Sequence, residues 1–108
     1  MYASIRRYRV NPEQLWELMR RVDEEFAPLV EELDGFMSYQ AIECERGTVL
    51  SITICRDQEA VERSAELAGE WMRTELNDLA LARVESLTGE VGVGRAQAAI
   101  LESAHAPR

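Results

Sequence analysis

Lysine is absent from this chain of 108 residues, and all 12 basic side chains are arginine. Schiff-base catalysis and a Walker-type phosphate loop both depend on a lysine amine, so both are excluded. Histidine occurs once, as His105 near the C-terminal end. A Ser-His-Asp triad or a histidine-based metal centre would have to be assembled on a chain terminus, which is a poor platform, and no metal site is expected. Cys44 and Cys55 are too few for a zinc cluster and form no CxxC motif. They read as two reduced, buried thiols of a cytosolic protein. No apolar run approaches the roughly 20 residues that span a bilayer. The opening Met-Tyr-Ala-Ser-Ile-Arg-Arg lacks the charged-then-apolar order of a secretory signal. The expected location is cytoplasmic.

Positive charge is also scarce, with 20 acidic residues against 12 basic ones and a net charge of −8. A surface that neutralises phosphates needs a basic stripe. The Arg6-Arg7-Tyr8-Arg9 cluster is the nearest thing to one, and strand alternation splits it between two faces. Neither nucleic acid nor an anionic membrane is an expected partner.

What is present is ordinary globular composition, 46% hydrophobic and 30% charged, over a length that suits one domain. Residues 2–10 mix aromatic and β-branched side chains in alternation and read as a strand. Asn11-Pro12-Glu13-Gln14 is a helix start, with Asn as cap, Pro at the first position and Gln where a capping box wants it. Leu15, Leu18, Met19, Val22, Phe26, Leu29, Val30 and Leu33 then recur at helical spacing. Pro28 falls inside that pattern and predicts a kink or restart. Gly35 ends the helix in a left-handed position.

Residues 36–45 and 49–56 read as a hairpin around Arg46-Gly47-Thr48, with Ile42 opposite Ile52 and Ala41 opposite Thr53. One face then carries Ile42, Cys44, Leu50, Ile52 and Ile54, and the other Tyr39, Ala41, Glu43, Ser51, Thr53 and Cys55. The two cysteines fall on opposite faces, which argues against a disulfide. Asp57 caps a second helix whose apolar positions run from Val61 through Ala65, Ala68, Trp71 and Met72 to Leu76 and Leu79. Residues 82–90 read as a weaker, edge-like strand. The glycine-rich run from Gly89 to Gly94 brushes against a dinucleotide fingerprint, but no βαβ unit follows, so it reads as an exit from that strand. Residues 96–104 are alanine-rich and read as a short helical stretch.

The order β-α-β-β-α-β predicts an α+β, ferredoxin-like fold: a four-stranded antiparallel sheet with two helices on one face. The domain spans 1–92, and 93–108 form a C-terminal tail that is flexible or packs on a partner subunit. The Tyr39 face is small, semi-polar and aromatic, with Glu43 as its only charge. It is expected to face away from the helices, into a half-dry cavity closed by a second copy of the sheet as a homodimer, while a small, flat, apolar ligand is expected between sheet and helices.

The stretch Gly35-Phe36-Met37-Ser38-Tyr39-Gln40, then Gly47, Val49 to Ile54, Asp57-Gln58-Glu59-Ala60 and Glu70-Trp71-Met72 resembles the antibiotic-biosynthesis-monooxygenase-like group of dimeric α+β barrels, over roughly residues 2–92. That group includes cofactor-independent oxygenases of hydroquinones and anthrones, haem-degrading oxygenases, and many small proteins of unknown role. Haem degradation is disfavoured by residue: Trp71 matches the helix tryptophan of those enzymes, but no histidine follows it, Leu81 stands where the iron ligand is expected, and strand one has no asparagine. The resemblance therefore implies oxygenation of a phenolic or quinol-type small molecule without a cofactor. Tyr39, Glu43 and Arg6 are the catalytic candidates, Glu43 as proton acceptor and Arg6 as holder of a phenolate. Trp71, Tyr8, Ser51 and Thr53 are the substrate-binding candidates. A non-catalytic dimer that binds a small aromatic ligand, or a structural dimer, stays open as the alternative.

Overall fold

The computed structural model describes residues 1–97. The expected helix at 96–104 and His105 lie almost wholly or wholly outside that range. Strand β1 runs Tyr2–Val10, and Asn11 caps the next turn by accepting from the Glu13 N–H at 3.0 Å. Gln14 does not close a capping box. Its side chain accepts instead from the Ala80 N–H at 3.0 Å, tying the first helix to the connection before the last strand.

That first helix is built in pieces. A 3₁₀ turn at Pro12–Gln14 leads into α1 (Leu15–Arg21), a π-helical turn at Val22–Phe26, and α2 (Ala27–Glu31). The expected interruption near Pro28 thus appears one turn earlier. Pro28 has no N–H to return to Glu24, and the added residue of the π turn makes room for its ring. The π turn also keeps Leu18, Val22, Phe26 and Val30, spaced by four, on one face. Four residues overshoot an α turn and fall short of a π turn, so the drifts offset each other.

Strands β2 (Phe36–Glu43) and β3 (Thr48–Cys55) form the hairpin, α3 covers Gln58–Glu75, and β4 covers Leu81–Glu90. Asp57 caps α3, accepting from the Ala60 N–H at 2.9 Å. The sheet order is β2-β3-β1-β4 with every neighbour antiparallel. The hairpin register differs from the expected one by two residues: Ile42 faces Leu50 and Ala41 faces Ser51. The connection is Cys44–Gly47, with both Arg46 and Gly47 at positive φ. A shift of two preserves the faces, so the residue sets survive.

The orientation of those sets does not. Helix α3 packs across β1 and β3, and α2 against β2. Beneath them lie Ser4, Arg6, Tyr8 and Val10 of β1 and Val49, Ser51, Thr53 and Cys55 of β3, all buried. Tyr39 and Ala41 share this covered face. Ile5, Leu50, Ile52 and Ile54 point the other way, with Ile42 and Leu87 41% and 55% exposed. The Tyr39 face, expected to look away from the helices, is the one they cover. Alternation tells which residues share a face, not which face the helices take. The more apolar set is the one left uncovered. Cys44 and Cys55 are both free thiols; Cys55 is buried as expected, whereas Cys44 is exposed in the turn.

Candidate functional site

Between helices and sheet the side chains leave a cavity of about 40 Å³. Arg6 and Tyr8 of β1, Tyr39 and Ala41 of β2, and Val49 and Ser51 of β3 form its floor. Leu18 of α1, Val22 and Phe26 of the π turn, and Ala68, Trp71 and Met72 of α3 form its roof, with Leu76 and Leu81 closing one end. These positions follow from the pleat: residues 6 and 8 of β1 and residues 49 and 51 of β3 are alternate, so both strands offer them to the same side. A bulge between Arg7 and Tyr8 shifts the pairing with β4, setting Tyr8 opposite Arg83.

Arg6 is the feature that packing does not explain. It is 3% exposed and faces Ser51 across the ladder. Its Nε has no hydrogen-bond partner. A buried cation without a counter-charge is costly, and such a group is usually paired or set against a ligand. Its aromatic neighbours are phenols. Burial pushes the Tyr8 hydroxyl up from its ordinary value, opposed by the positive charges of Arg6 and Arg83. Burial likewise pushes Tyr39 up, opposed by Ser51 and Arg6. Both stay neutral at physiological pH and can donate hydrogen bonds. The electrostatics of the cavity are therefore one fixed positive charge, two phenols and a hydroxyl among apolar walls.

Five of the expected site residues, Arg6, Tyr8, Tyr39, Ser51 and Trp71, line this one cavity. Thr53 is fully buried on the same face but stands one row beyond the cavity wall, its hydroxyl unpartnered, as is that of Ser4 directly across the ladder. Glu43 does not join them. It is exposed at the end of β2, where the chain leaves the sheet for the turn, so the proton-acceptor role expected of it does not fit. Trp71 both packs in the core cluster and lines the cavity. Phe26 was missed as a site residue. Its ring stands edge-on to Tyr39 with centroids 5.3 Å apart, and tilted against Trp71, also at 5.3 Å. The four-residue stripe from Leu18 to Val30 was the signal that could have found it.

Among solved structures, HapK from Hahella chejuensis superposes on 90% of this chain and 99% of its own, with a TM-score of 0.67 and 17% identity. A candidate antibiotic biosynthesis monooxygenase from Deinococcus radiodurans covers 90% and 98%, with a TM-score of 0.72 and 18% identity. This chain shares their fold. A mutant of MhuD with two manganese protoporphyrin IX molecules bound per active site covers 90% and 100%, with a TM-score of 0.73 and 20% identity. No protein-family model matches the sequence, and no curated protein does. The four-stranded antiparallel sheet with its helices on one face is the ferredoxin-like arrangement of these antibiotic-biosynthesis-monooxygenase-like structures.

No histidine lies among residues 1–97, and no group of His, Cys, Asp and Glu among the described residues could hold a metal. Among the described residues no helix is long and apolar enough to cross a membrane.

Proposed function

We propose that this chain is a cofactor-independent monooxygenase of phenolic or quinol-type small molecules, acting as a cytoplasmic homodimer. The observation that carries the reading is the buried Arg6 guanidinium, its Nε without a hydrogen-bond partner, beside two neutral phenols on the wall of an apolar cavity. An oxyanion on a flat ring supplies an acceptor for it, and the walls at Trp71 and Leu18 supply the apolar contact. Among the described residues no carboxylate or imidazole lines the cavity; the proton leaves to water, and Arg6 favours its loss by lowering the pKa of the bound phenol.

The electron-rich phenolate is then the reductant. It gives an electron to dioxygen, the two radicals join in a carbon–oxygen bond, and the resulting hydroperoxide loses water. A phenol with a free para position and one dioxygen thus yield a quinone and one water, with the substrate oxidised and dioxygen reduced. Tyr39 and Ser51 hold the ring oxygens, and the apolar walls keep bulk water from the radical pair.

The homodimer reading rests on the uncovered sheet face. Ile5, Leu50, Ile52, Ile54, Ile42 and Leu87 form an apolar sheet surface that solvation disfavours. A second copy laid on it across a twofold axis covers both at once.

The missing base supports a second reading, a dimer that binds a small aromatic ligand without turnover. Oxygen uptake by the metal-free protein against hydroquinones, catechols and anthrones separates the two. Uptake that falls roughly 100-fold in Arg6→Gln supports the oxygenase. Binding that Arg6→Gln abolishes, with no uptake above buffer, supports the second.

A further inference from the structure

An aromatic ring does not fit the cavity as it stands. Its 40 Å³ suits a single water, whereas a benzene-sized guest takes on the order of 150 Å³. The side chain filling the neighbouring space is Phe26, 2% exposed. Its ring touches both of the aromatic walls, Tyr39 at an interplanar angle of 67° and Trp71 at 41°, each at 5.3 Å. These are separations at which aromatic pairs are favourable. Phe26 therefore holds the place that a bound ring would take between those walls.

The backbone that carries Phe26 is built to be re-set. The Ala27 N–H bonds to the Val22 carbonyl five residues back. Pro28, one position later, has no N–H to bond Glu24. A π turn carries one residue more than an α turn. Shifting it along the helix rotates the side chains that follow it while the rest of the ladder stays intact. Leu18 and Val22, earlier on the same helix, already line the cavity, so this rotation acts on the roof alone and leaves the sheet floor in place.

We propose that Phe26 is a displaceable plug that sets which ligands the site accepts: ligand binding swings its ring out from between Tyr39 and Trp71, and the ligand's ring takes its place beside Arg6. The inference rests on the ligand-binding reading and narrows it. Replacing one phenyl ring by another admits a single-ring oxyanion, such as a phenolate or a monocyclic quinol anion. Fused three-ring ligands demand more space than the plug vacates.

The test uses Trp16→Phe protein, in which Trp71 is the remaining tryptophan. Quenching of Trp71 emission is titrated with 4-nitrophenolate, 1-naphtholate and the three-ring anthralin, in that background and with Phe26→Leu or Phe26→Ala added. Circular dichroism verifies that each variant is folded. The expected result is preference for the single ring with Phe26 present, narrowing by roughly tenfold or more as the smaller side chains let anthralin in. Binding that appears only in the Phe26 variants makes Phe26 a fixed obstruction and overturns the displaceable plug. An unchanged size preference, with 4-nitrophenolate still bound, overturns the plug and leaves the binding reading standing. No binding by any form overturns both. Should the variants fail to fold, hydrogen exchange on the intact protein decides. Saturation with 4-nitrophenolate is expected to speed exchange at the amides of residues 22–27, and slowed or unchanged exchange there overturns the plug.

Discussion

Arg21 of α1 grips Asp78 two-to-two, each terminal guanidinium nitrogen donating to one carboxylate oxygen at 2.8 Å, across 57 residues of sequence. The same guanidinium donates from Nε to Glu17 and from Nη1 to the Glu75 carbonyl. The end of α3 is thereby tied to α1 beside Leu76, which closes the cavity. Hydrogen bonds from Arg21 hold the Asp78 carboxyl down at about 2, and those from Arg20 and Arg21 hold Glu17 at about 2. Depressed carboxyls stabilise the fold fully above their unfolded values, and that contribution fades as pH falls from about 4.5 toward 2. The urea midpoint is expected to drop across that window, with a flatter drop in Asp78→Asn and Glu17→Gln. Asp78 is exposed and Glu17 and Arg21 are half-buried, so solvent screens these pairs and the effect at neutral pH is small.

Arg6 makes a different pH prediction. The two tyrosines stay neutral well beyond neutral pH, so these two phenols contribute no titration to ligand binding between about pH 6 and 9. Affinity for a phenol should rise tenfold per pH unit between its bound and free pKa values, then level off above the free value. Calorimetric titration over that range checks this. Arg6→Gln should remove the rise, since the bound and free pKa values then coincide.

The uncovered sheet face predicts assembly. Light scattering on a sizing column should give twice the 12.3 kDa chain mass. Ile52→Glu, on the second strand of the sheet and facing Ile5, should give a folded protein of single mass, because a carboxylate keeps its hydration on an open sheet face and loses it between two sheets. A wild-type protein of single mass would sink the dimer without touching the cavity.

Gly47 predicts a folding defect. A Cβ at this position would stand 2.5 Å from the Val10 carbonyl oxygen, on a backbone with φ of +70°. Gly47→Ala is expected to cost about 2 kcal/mol, read as a lower urea midpoint with unchanged slope.

The fold was legible because strand alternation, Asn11 and Asp57 as caps, and Gly35 and Gly47 at positive φ all point to one order of elements. The hairpin register was less so. A three-residue loop suits Gly47 alone, and nothing in the sequence marks Arg46 as taking positive φ as well. The site was half legible. Arg6, Tyr8, Tyr39, Ser51 and Trp71 were named, but their grouping under the helices was not, because Ile52 and Ile54 look more like core than Ser51 and Thr53 do. That Arg6 is buried with its Nε unpartnered is a fact about three-dimensional neighbours, and no spacing in the sequence encodes it.

The alternation along β1 and β3 also separates two selective pressures. Residues 4, 6 and 8 with 49, 51 and 53 face the covered side, and residues 5 and 7 with 50, 52 and 54 the open one. Each strand thus carries two interleaved messages, one about what is held inside and one about what is met outside. Descendants of this chain can change guests by substituting even positions of β1 and odd ones of β3 while their oligomeric contacts drift independently, one residue out of phase.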